Sequence, residues 1–324
     1  MQSSIQLLKN ISKFKLGYCL PQSSLWPIHR RSAVLILLFV GSFGELRVLL
    51  TKRSRGLRSF SGHVSLPGGK ADNIQENFET VARREAEEEI GLPCDSEVLL
   101  KEYGLKVDNL CMELPHYLSR TFLSVKPVVC FLYNSNLEGD YKYERPLDAL
   151  KFFGKLNPGE TTSMFSIPLS DLIAHEHQWN NYQVEYVRRE DVNTKWGGTT
   201  WLLRHYYYPN ENSRDAAWLN DILDTSSGDE ELEGVKCKDV WGLTAKILYD
   251  LSKIAHGPPE RCESSARLGH DDLIYGLHDL GGQLRDRNRS TWESAMIVNK
   301  RGYKYGDVIP EFYMKRLLRS CPKF

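Results

Sequence analysis

The sequence predicts an α/β protein built on a mixed β-sheet. Apolar runs of strand length stand at residues 33–40, 46–50 and 125–133. Helical periodicity marks residues 76–91 and 241–254. The two kinds of segment do not alternate as regular β-α-β units, so a mixed sheet is expected rather than a purely parallel one. At 324 residues the chain has room for about two domains, or for one domain with long insertions.

The elements follow in order. The first 44 residues hold no Asp or Glu, and Lys9, Lys13 and Lys15 sit among Ile5, Leu7, Leu8, Ile11, Phe14 and Leu16. That pattern fits a basic amphipathic targeting segment or a helix packed on the domain. Residues 33–40 form the longest apolar run, too short to span a bilayer, and read as a buried strand. The turn Gly41-Ser42-Phe43-Gly44 joins them to 46–50 as a hairpin. Residues 61–70 read as a loop punctuated by Pro67-Gly68-Gly69. Residues 76–91 read as a helix stopped by Gly91, with Pro93 just beyond. The run at 125–133 begins Val125-Lys126-Pro127, which places a proline near the start of a central strand. Residues 165–172 read as a strand end leading into a short helix, and 201–208 as an aromatic strand. Ser226-Ser227-Gly228 followed by Asp229, Glu230, Glu231 and Glu233 reads as a solvated insertion loop near 221–234. This gives a basic segment at 1–28, a catalytic domain at 29–256 and a C-terminal extension at 257–324 without a recognisable motif.

Composition narrows the function. Lys+Arg and Asp+Glu both number 42, so no global basic field favours nucleic acid. The seven cysteines are odd in number and form no CxxC pair, which argues against a zinc ribbon or disulfide scaffold and for a reducing compartment. His175, Glu176 and His177 lack the spacing of a zinc-protease helix and read as a solvated segment.

The chemistry concentrates in Gly68-Gly69-Lys70, Glu76 and Arg84-Glu85-Ala86-Glu87-Glu88-Glu89-Ile90-Gly91-Leu92. At 100° per residue, Glu85, Glu88 and Glu89 share one helix face, while Ala82, Ala86 and Ile90 form a neighbouring apolar stripe. Like charges so placed repel by a few tenths of a kcal/mol per pair. Such a face either points into water or holds divalent cations, and hard carboxylate oxygens suit Mg²⁺ or Mn²⁺. The glycine pair before the helix lets bare backbone approach an ion or a phosphate, and Arg84 can pair with Glu88 one turn on.

This segment resembles the signature of the Nudix hydrolases: a Gly, five residues, a Glu, seven residues, then Arg-Glu-aliphatic-x-Glu-Glu-x-Gly-aliphatic. Arg84, Glu85, Ala86, Glu88, Glu89, Gly91 and Leu92 match, and Glu76 stands at the required distance. The departure is six residues, not five, between Gly69 and Glu76. The resemblance implies a Nudix α/β/α sandwich, Glu85, Glu88 and Glu89 as metal ligands, and Arg84 as a residue that orients a glutamate. It leaves the general base open, with Glu113 and Glu160 as remote glutamates to consider.

Upstream, Leu49-Leu50-Thr51-Lys52-Arg53-Ser54, Leu57-Arg58, Gly62, Val64 and Pro67-Gly68-Gly69 are similar to a second signature, that of the coenzyme A diphosphatase branch. Leu66 stands where that branch usually has Phe. Asn157-Pro158-Gly159-Glu160, Phe165, Pro168-Leu169 and Trp241-Gly242-Leu243-Thr244-Ala245 extend the likeness over about residues 25–255. It implies hydrolysis of the diphosphate of coenzyme A, acyl-coenzyme A or oxidised coenzyme A. Arg53, Arg58, Gly68 and Gly69 would then bind substrate, with neither nucleic acid nor a membrane span involved. Other Nudix substrates remain open, namely oxidised nucleoside triphosphates, ADP-ribose or a dinucleotide. A non-catalytic Nudix module is disfavoured because all three glutamates are present. The branch also implies a peroxisomal address, although the chain ends Cys321-Pro322-Lys323-Phe324 rather than S-K-L, so cytoplasm or mitochondrion are the alternatives.

Overall fold

A computed structural model describes residues 3–16, 26–57, 59–148, 153–173, 187–210, 216, 218–219, 222, 230–232, 234–257 and 268–320. The central sheet starts with the expected hairpin. Strand β1 (Arg31–Val40) pairs antiparallel with β2 (Leu46–Arg53) in the register Leu38↔Val48. The order across the sheet is β3 (Val64–Ser65), β2, β1, β7 (Ser124–Asn134), β5 (Leu105–Cys111). Strands β4 (Gly68–Lys70), β6 (Tyr117–Leu118) and β8 (Thr161–Pro168) pair with β1, β7 and β2. The β1–β7 pair is parallel and the others are antiparallel, so the sheet is mixed as expected. Pro127 falls between the part of β7 that pairs with β6 at Val125 and the part that pairs with β5 at Val129. Its missing N–H therefore breaks no ladder on that side.

Both faces of β1 are covered, which is why its sequence is a continuous apolar run. Ala33, Leu35, Leu37 and Phe39 pack under helix α2 (Phe78–Ile90) against Val81, Ala82, Ala86 and Ile90. Ile36, Leu38 and Val40 face the opposite layer, where helices α1 (Ser4–Lys13) and α4 (Gly242–His256) contribute Leu7, Leu8, Ile11, Leu248 and Leu251. Each fully buried aliphatic side chain contributes about 1.5–3 kcal/mol, and Leu37→Ala should cost about 2–5 kcal/mol through the cavity it leaves. Helix α1 is thus a packed element, and the Asn10 side-chain amide fixes it by donating to the Ala255 carbonyl at 2.7 Å.

Two readings change. Residues 61–70 are not all loop: Gly68–Lys70 joins the sheet beside Ser32–Val34, because bare glycine backbone can approach β1. The acidic stretch near 221–234 ends in strand β11 (Glu230–Leu232), which hairpins onto β12 (Val235–Trp241). The rest of that stretch, apart from Ile222, lies outside the described residues. Strands β9 (Arg188–Trp196) and β10 (Thr199–Pro209) complete a second sheet in the order β11-β12-β10-β9.

The C-terminal helices lie between helix α3 (Ser96–Tyr103) and the chain end: α5 (Asp271–Tyr275), α6 (Thr291–Ile297) and α7 (Glu311–Ser320). Leu273 and Met296 of these helices, with Leu277 and Tyr305 from the segments between them, build a third apolar cluster with Trp26, Leu118, Phe122, Trp196 and Trp201. A buried ion pair stitches this cluster to the start of β1, with Arg30 Nη2 2.7 Å from Glu293 Oε2. The other Glu293 oxygen accepts from the Leu284 N–H at 2.7 Å, so the buried carboxylate is satisfied on both sides. Among the described residues Cys94, Cys111, Cys130 and Cys237 are free thiols. No helix there is long and apolar enough to cross a membrane.

Candidate active site

Helix α2 is framed by local chemistry. The Asn77 side chain accepts from the Thr80 N–H at 2.8 Å, and Gly91 ends the helix in the left-handed conformation at φ 71°. Between them the helix buries Val81, Ala82, Ala86 and Ile90 and turns Glu85 and Glu89 toward the Gly68–Gly69 backbone, with Glu88 on the same face beside Arg84. The sheet register Ala33↔Gly69 and Val34↔Gly68 sets that backbone in place. A Cβ on Gly68 would run into the Ala33 carbonyl and Val34, and one on Gly69 would overlap the Glu85 carboxylate. Glycine at Gly68 is therefore a packing requirement, whereas a side chain at Gly69 would displace the Glu85 carboxylate.

The three carboxylates differ in environment. Glu89 is only 5% exposed. Its Oε2 accepts from the Gly68 N–H at 3.2 Å, and Oε1 lies 3.7 Å from Arg53 Nη1. Burial pushes its carboxyl up to about 8; Arg53 and the Gly68 N–H pull the other way, and the charges of Glu85 and Glu160 add to the rise. Burial likewise raises the Glu85 carboxyl against the pull of Arg84, with Glu88 and Glu160 adding. Glu88 stands at the exposed end of the face.

Arg84 binds this face together. Its Nε donates to Glu76 Oε1 at 2.9 Å, Nη1 to Glu85 at 3.1 Å, and Nη2 to the Lys70 carbonyl at 2.9 Å. Nη1 also lies 3.4 Å from Glu88, the i,i+4 pairing anticipated from the sequence. Glu76 is an anchor for Arg84. Burial opposes its ionisation, but the Arg84 guanidinium and the Asp72 N–H hold its carboxyl below the usual range. The additional residue between Gly69 and Glu76 is absorbed in a turn, where Asn73 Oδ1 accepts from the N–H groups of Gln75 and Glu76 at 3.0 and 3.1 Å. The Gly69 carbonyl accepts from Ser32 Oγ at 2.5 Å.

The donor set fits a hard divalent cation. Carboxylate oxygens gather beside bare backbone, and two of the carboxyls are raised by burial and by each other's charge, an imbalance that a bound cation relieves. Among the described residues no three such side chains are already drawn into a ligand cage. Arg84 spans Glu85 and Glu88 while Arg53 leans on Glu89, so a cation bound here would compete with the guanidinium groups for the same oxygens.

Of the other residues singled out from sequence, Arg53, Gly68 and Gly69 come together with the glutamates, and Arg58, His175 and His177 lie outside the described residues. Glu160 lies close enough for its charge to act on both Glu85 and Glu89, and its carbonyl accepts from the Ser54 N–H at 2.7 Å. Glu113 instead sits beside Cys111. Sequence reading missed a cavity of about 340 Å³ that opens beside Arg53 and Gly68. Leu118, Trp196, Trp201, Leu203, Trp241 and His270 line it. The aromatic run at 201–208 and the motif residues Arg53, Gly68 and Trp241–Thr244 were its visible signals; His270 lay in a stretch with no motif.

This geometry, a carboxylate-rich helix under a glycine strand of a mixed sheet, agrees with the comparisons to known proteins. The NUDIX domain profile matches residues 29–150. The chain belongs to the Nudix hydrolases and is an enzyme of that family, whose members generally use divalent metals. Among its relatives, peroxisomal coenzyme A diphosphatase 1 of Saccharomyces cerevisiae is 56% identical over 98% of this chain and 96% of its own length. Mitochondrial Nudix hydrolase 15 of Arabidopsis thaliana is 33% identical over 71% of this chain and 60% of its own. Chloroplastic Nudix hydrolase 22 of the same plant is 30% identical over 79% and 68%.

Proposed function

We propose that this enzyme hydrolyses the diphosphate of coenzyme A and its acylated or oxidised derivatives, giving 3′,5′-ADP and 4′-phosphopantetheine or its acyl form. One observation carries the reading: 56% identity, sustained over nearly the whole of both chains, to a relative named as a coenzyme A diphosphatase. Water adds to one phosphorus, one P–O bond of the P–O–P bridge breaks, and the bridging oxygen leaves with the other phosphate. Glu85, Glu88 and Glu89 are the residues to hold Mg²⁺ or Mn²⁺. Such a cation lowers the pKa of water and neutralises diphosphate charge.

The protein's own groups supply the rest. Arg84 positions Glu85 and Glu88, and its anchorage to Glu76 and the Lys70 carbonyl keeps it in reach of them. Arg53 reaches Glu89 from the end of β2 and can contact a diphosphate oxygen beside Gly68. Glu160 is the better placed of the two remote glutamates for accepting the proton of the attacking water, since its charge bears on Glu85 and Glu89, whereas Glu113 sits beside Cys111. The peroxisomal name of the yeast relative supports the same address here.

The test is a product assay with coenzyme A, 8-oxo-dGTP and ADP-ribose, each with Mg²⁺ or Mn²⁺. Release of 3′,5′-ADP and phosphopantetheine, abolished by chelation, is expected. Cleavage of a nucleotide with coenzyme A untouched would discard the substrate and keep the metal face. Inertness toward all three would point to a binding module.

A further inference from the structure

The cavity beside Gly68 draws half of its lining from chain beyond the matched NUDIX profile, and its character differs from the carboxylate face next to it. At about 340 Å³ it stands at the small end of ligand pockets, room for one end of coenzyme A rather than the whole. Its walls are aromatic and aliphatic, and its ionisable lining consists of Arg53, Arg120, Lys246 and two histidines. No carboxylate is among the described lining residues. The first residues of α4, Gly242, Leu243 and Thr244, also border it. That helix begins at Trp241, which offers no side-chain acceptor, so the positive end of its dipole is uncapped by a side chain.

Inside this lining His270 is held in one tautomer. Its Nδ1 accepts from the Leu118 N–H at 3.0 Å, which puts the proton of the neutral ring on Nε2. Nε2 is buried and has no hydrogen-bond partner, a donor that calls for an acceptor. Burial keeps the ring neutral, holding it down to about 3, with the Lys246 charge contributing. Arg120 adds an exposed guanidinium 5.8 Å from the Trp196 ring centroid. Its Nε donates to the Ile297 carbonyl at 3.3 Å, and no carboxylate pairs with it among the described residues.

Building on the coenzyme A reading above, we propose that this cavity takes the adenine 3′-phosphate end of the substrate, with the base among Trp196, Trp201 and Trp241, a ring nitrogen accepting from His270 Nε2–H, and the 3′-phosphate on Arg120 and Lys246. An acyl chain would use the apolar walls but leave Arg120 and the buried donor idle, while Lys246, whose Nζ lies 3.0 Å from the buried Asp250 carboxylate, would keep that partner. A purine uses all three: flat faces stack on indoles, ring nitrogens accept hydrogen bonds, and a phosphate takes the guanidinium in a bidentate grip. Arg53, drawn toward Glu89, is thereby left for the diphosphate.

Two measurements test this. The first compares kcat/KM for coenzyme A and 3′-dephospho-coenzyme A in the wild type, Arg120→Ala and Arg120→Lys, an exposed position whose truncation leaves the fold intact. Arg120→Ala should lower kcat/KM for coenzyme A about tenfold or more and leave 3′-dephospho-coenzyme A unchanged, with Arg120→Lys in between. The second follows tryptophan fluorescence of the chelated protein titrated with 3′,5′-ADP or with 4′-phosphopantetheine, and only 3′,5′-ADP should perturb it saturably. Equal losses on both substrates, or a response to phosphopantetheine alone, would overturn the assignment, as would kcat/KM rising with acyl-chain length while 3′,5′-ADP has no effect. A saturable 3′,5′-ADP response in a protein that does not cleave coenzyme A would keep the cavity and sink the proposed substrate.

Discussion

The acidic face of α2 and the cavity behind Gly68 lie side by side yet are made in opposite ways. The first is local: three glutamates, their arginine and their glycine strand come from 22 consecutive residues, 68–89. The second is assembled from segments as far apart as Val34 and His270. The first gathers carboxylates whose oxygens suit a cation, whereas the second is apolar with positive groups and one buried donor. A diphosphate with a nucleotide on one side needs both kinds of surface. The local one can tolerate little change, while the distant one can be altered to change substrate preference without touching the chemistry.

That contrast is easiest to break at the glutamates. Glu88→Gln and Glu89→Gln should each lower turnover by about two to three orders of magnitude while circular dichroism stays close to wild type. Wild-type turnover in either would remove that residue from the metal set. Next comes the cavity wall. Glu293→Ala leaves Arg30 as an uncompensated buried charge and should cost about 3–5 kcal/mol in urea unfolding. Below the unfolding transition the same variant should raise KM while leaving the Mg²⁺ activation constant unaltered. A shift in that constant would mean the two regions are not independent. Arg84→Ala should lower kcat about 10–100-fold and raise the metal concentration needed for half-activation, as expected for a residue that positions ligands. A change in the coenzyme A KM alone would instead make Arg84 a substrate contact.

The smallest effect is one of pH. The Glu89 carboxyl stands at about 8 in the folded protein against an ordinary 4.5. Across that interval the folded state binds more protons than the unfolded state, so the slope of unfolding free energy with pH is negative. The chelated enzyme should lose stability as pH rises from about 5 to 8. Saturating Mg²⁺ or Glu89→Gln should flatten the trend in a thermal-melt series, and a chelated enzyme that gains stability over this range would place the Glu89 carboxyl in a polar, solvated setting.

How much of this was legible follows the same division. The helix 76–91 was readable because Glu85, Glu88 and Glu89 and the stripe Ala82, Ala86 and Ile90 obey the helical repeat within a few turns. The β1–β2 hairpin was readable from two apolar runs around Gly41–Gly44. Even there the helix begins later than the pattern suggested, at Phe78, because the Asn77 side chain caps it. The strand at Gly68–Lys70 was hidden, since a three-residue stretch carries no periodicity and its pairing is decided by β1. The cavity was hidden more deeply. His270 acquires its tautomer from Leu118, 152 residues earlier, and no spacing rule reaches so far. The likeness of residues 49–69 to a substrate-specific signature did point to coenzyme A, yet it placed attention on Arg53 and Arg58 and none on Arg120 or His270.

The Arg30–Glu293 pair also has a timing. During synthesis the guanidinium that opens β1 emerges 263 residues before its carboxylate. At roughly 5–20 residues per second, that leaves it waiting on the order of tens of seconds. From their own synthesis until the end of that interval, the indole rings of Trp196 and Trp201 also lack the helices that will cover them. The nascent enzyme can therefore complete its carboxylate helix and central strands long before its aromatic cavity closes, and a ribosome stalled within α6 would display a half-built enzyme with a greasy flank, a natural client for a chaperone.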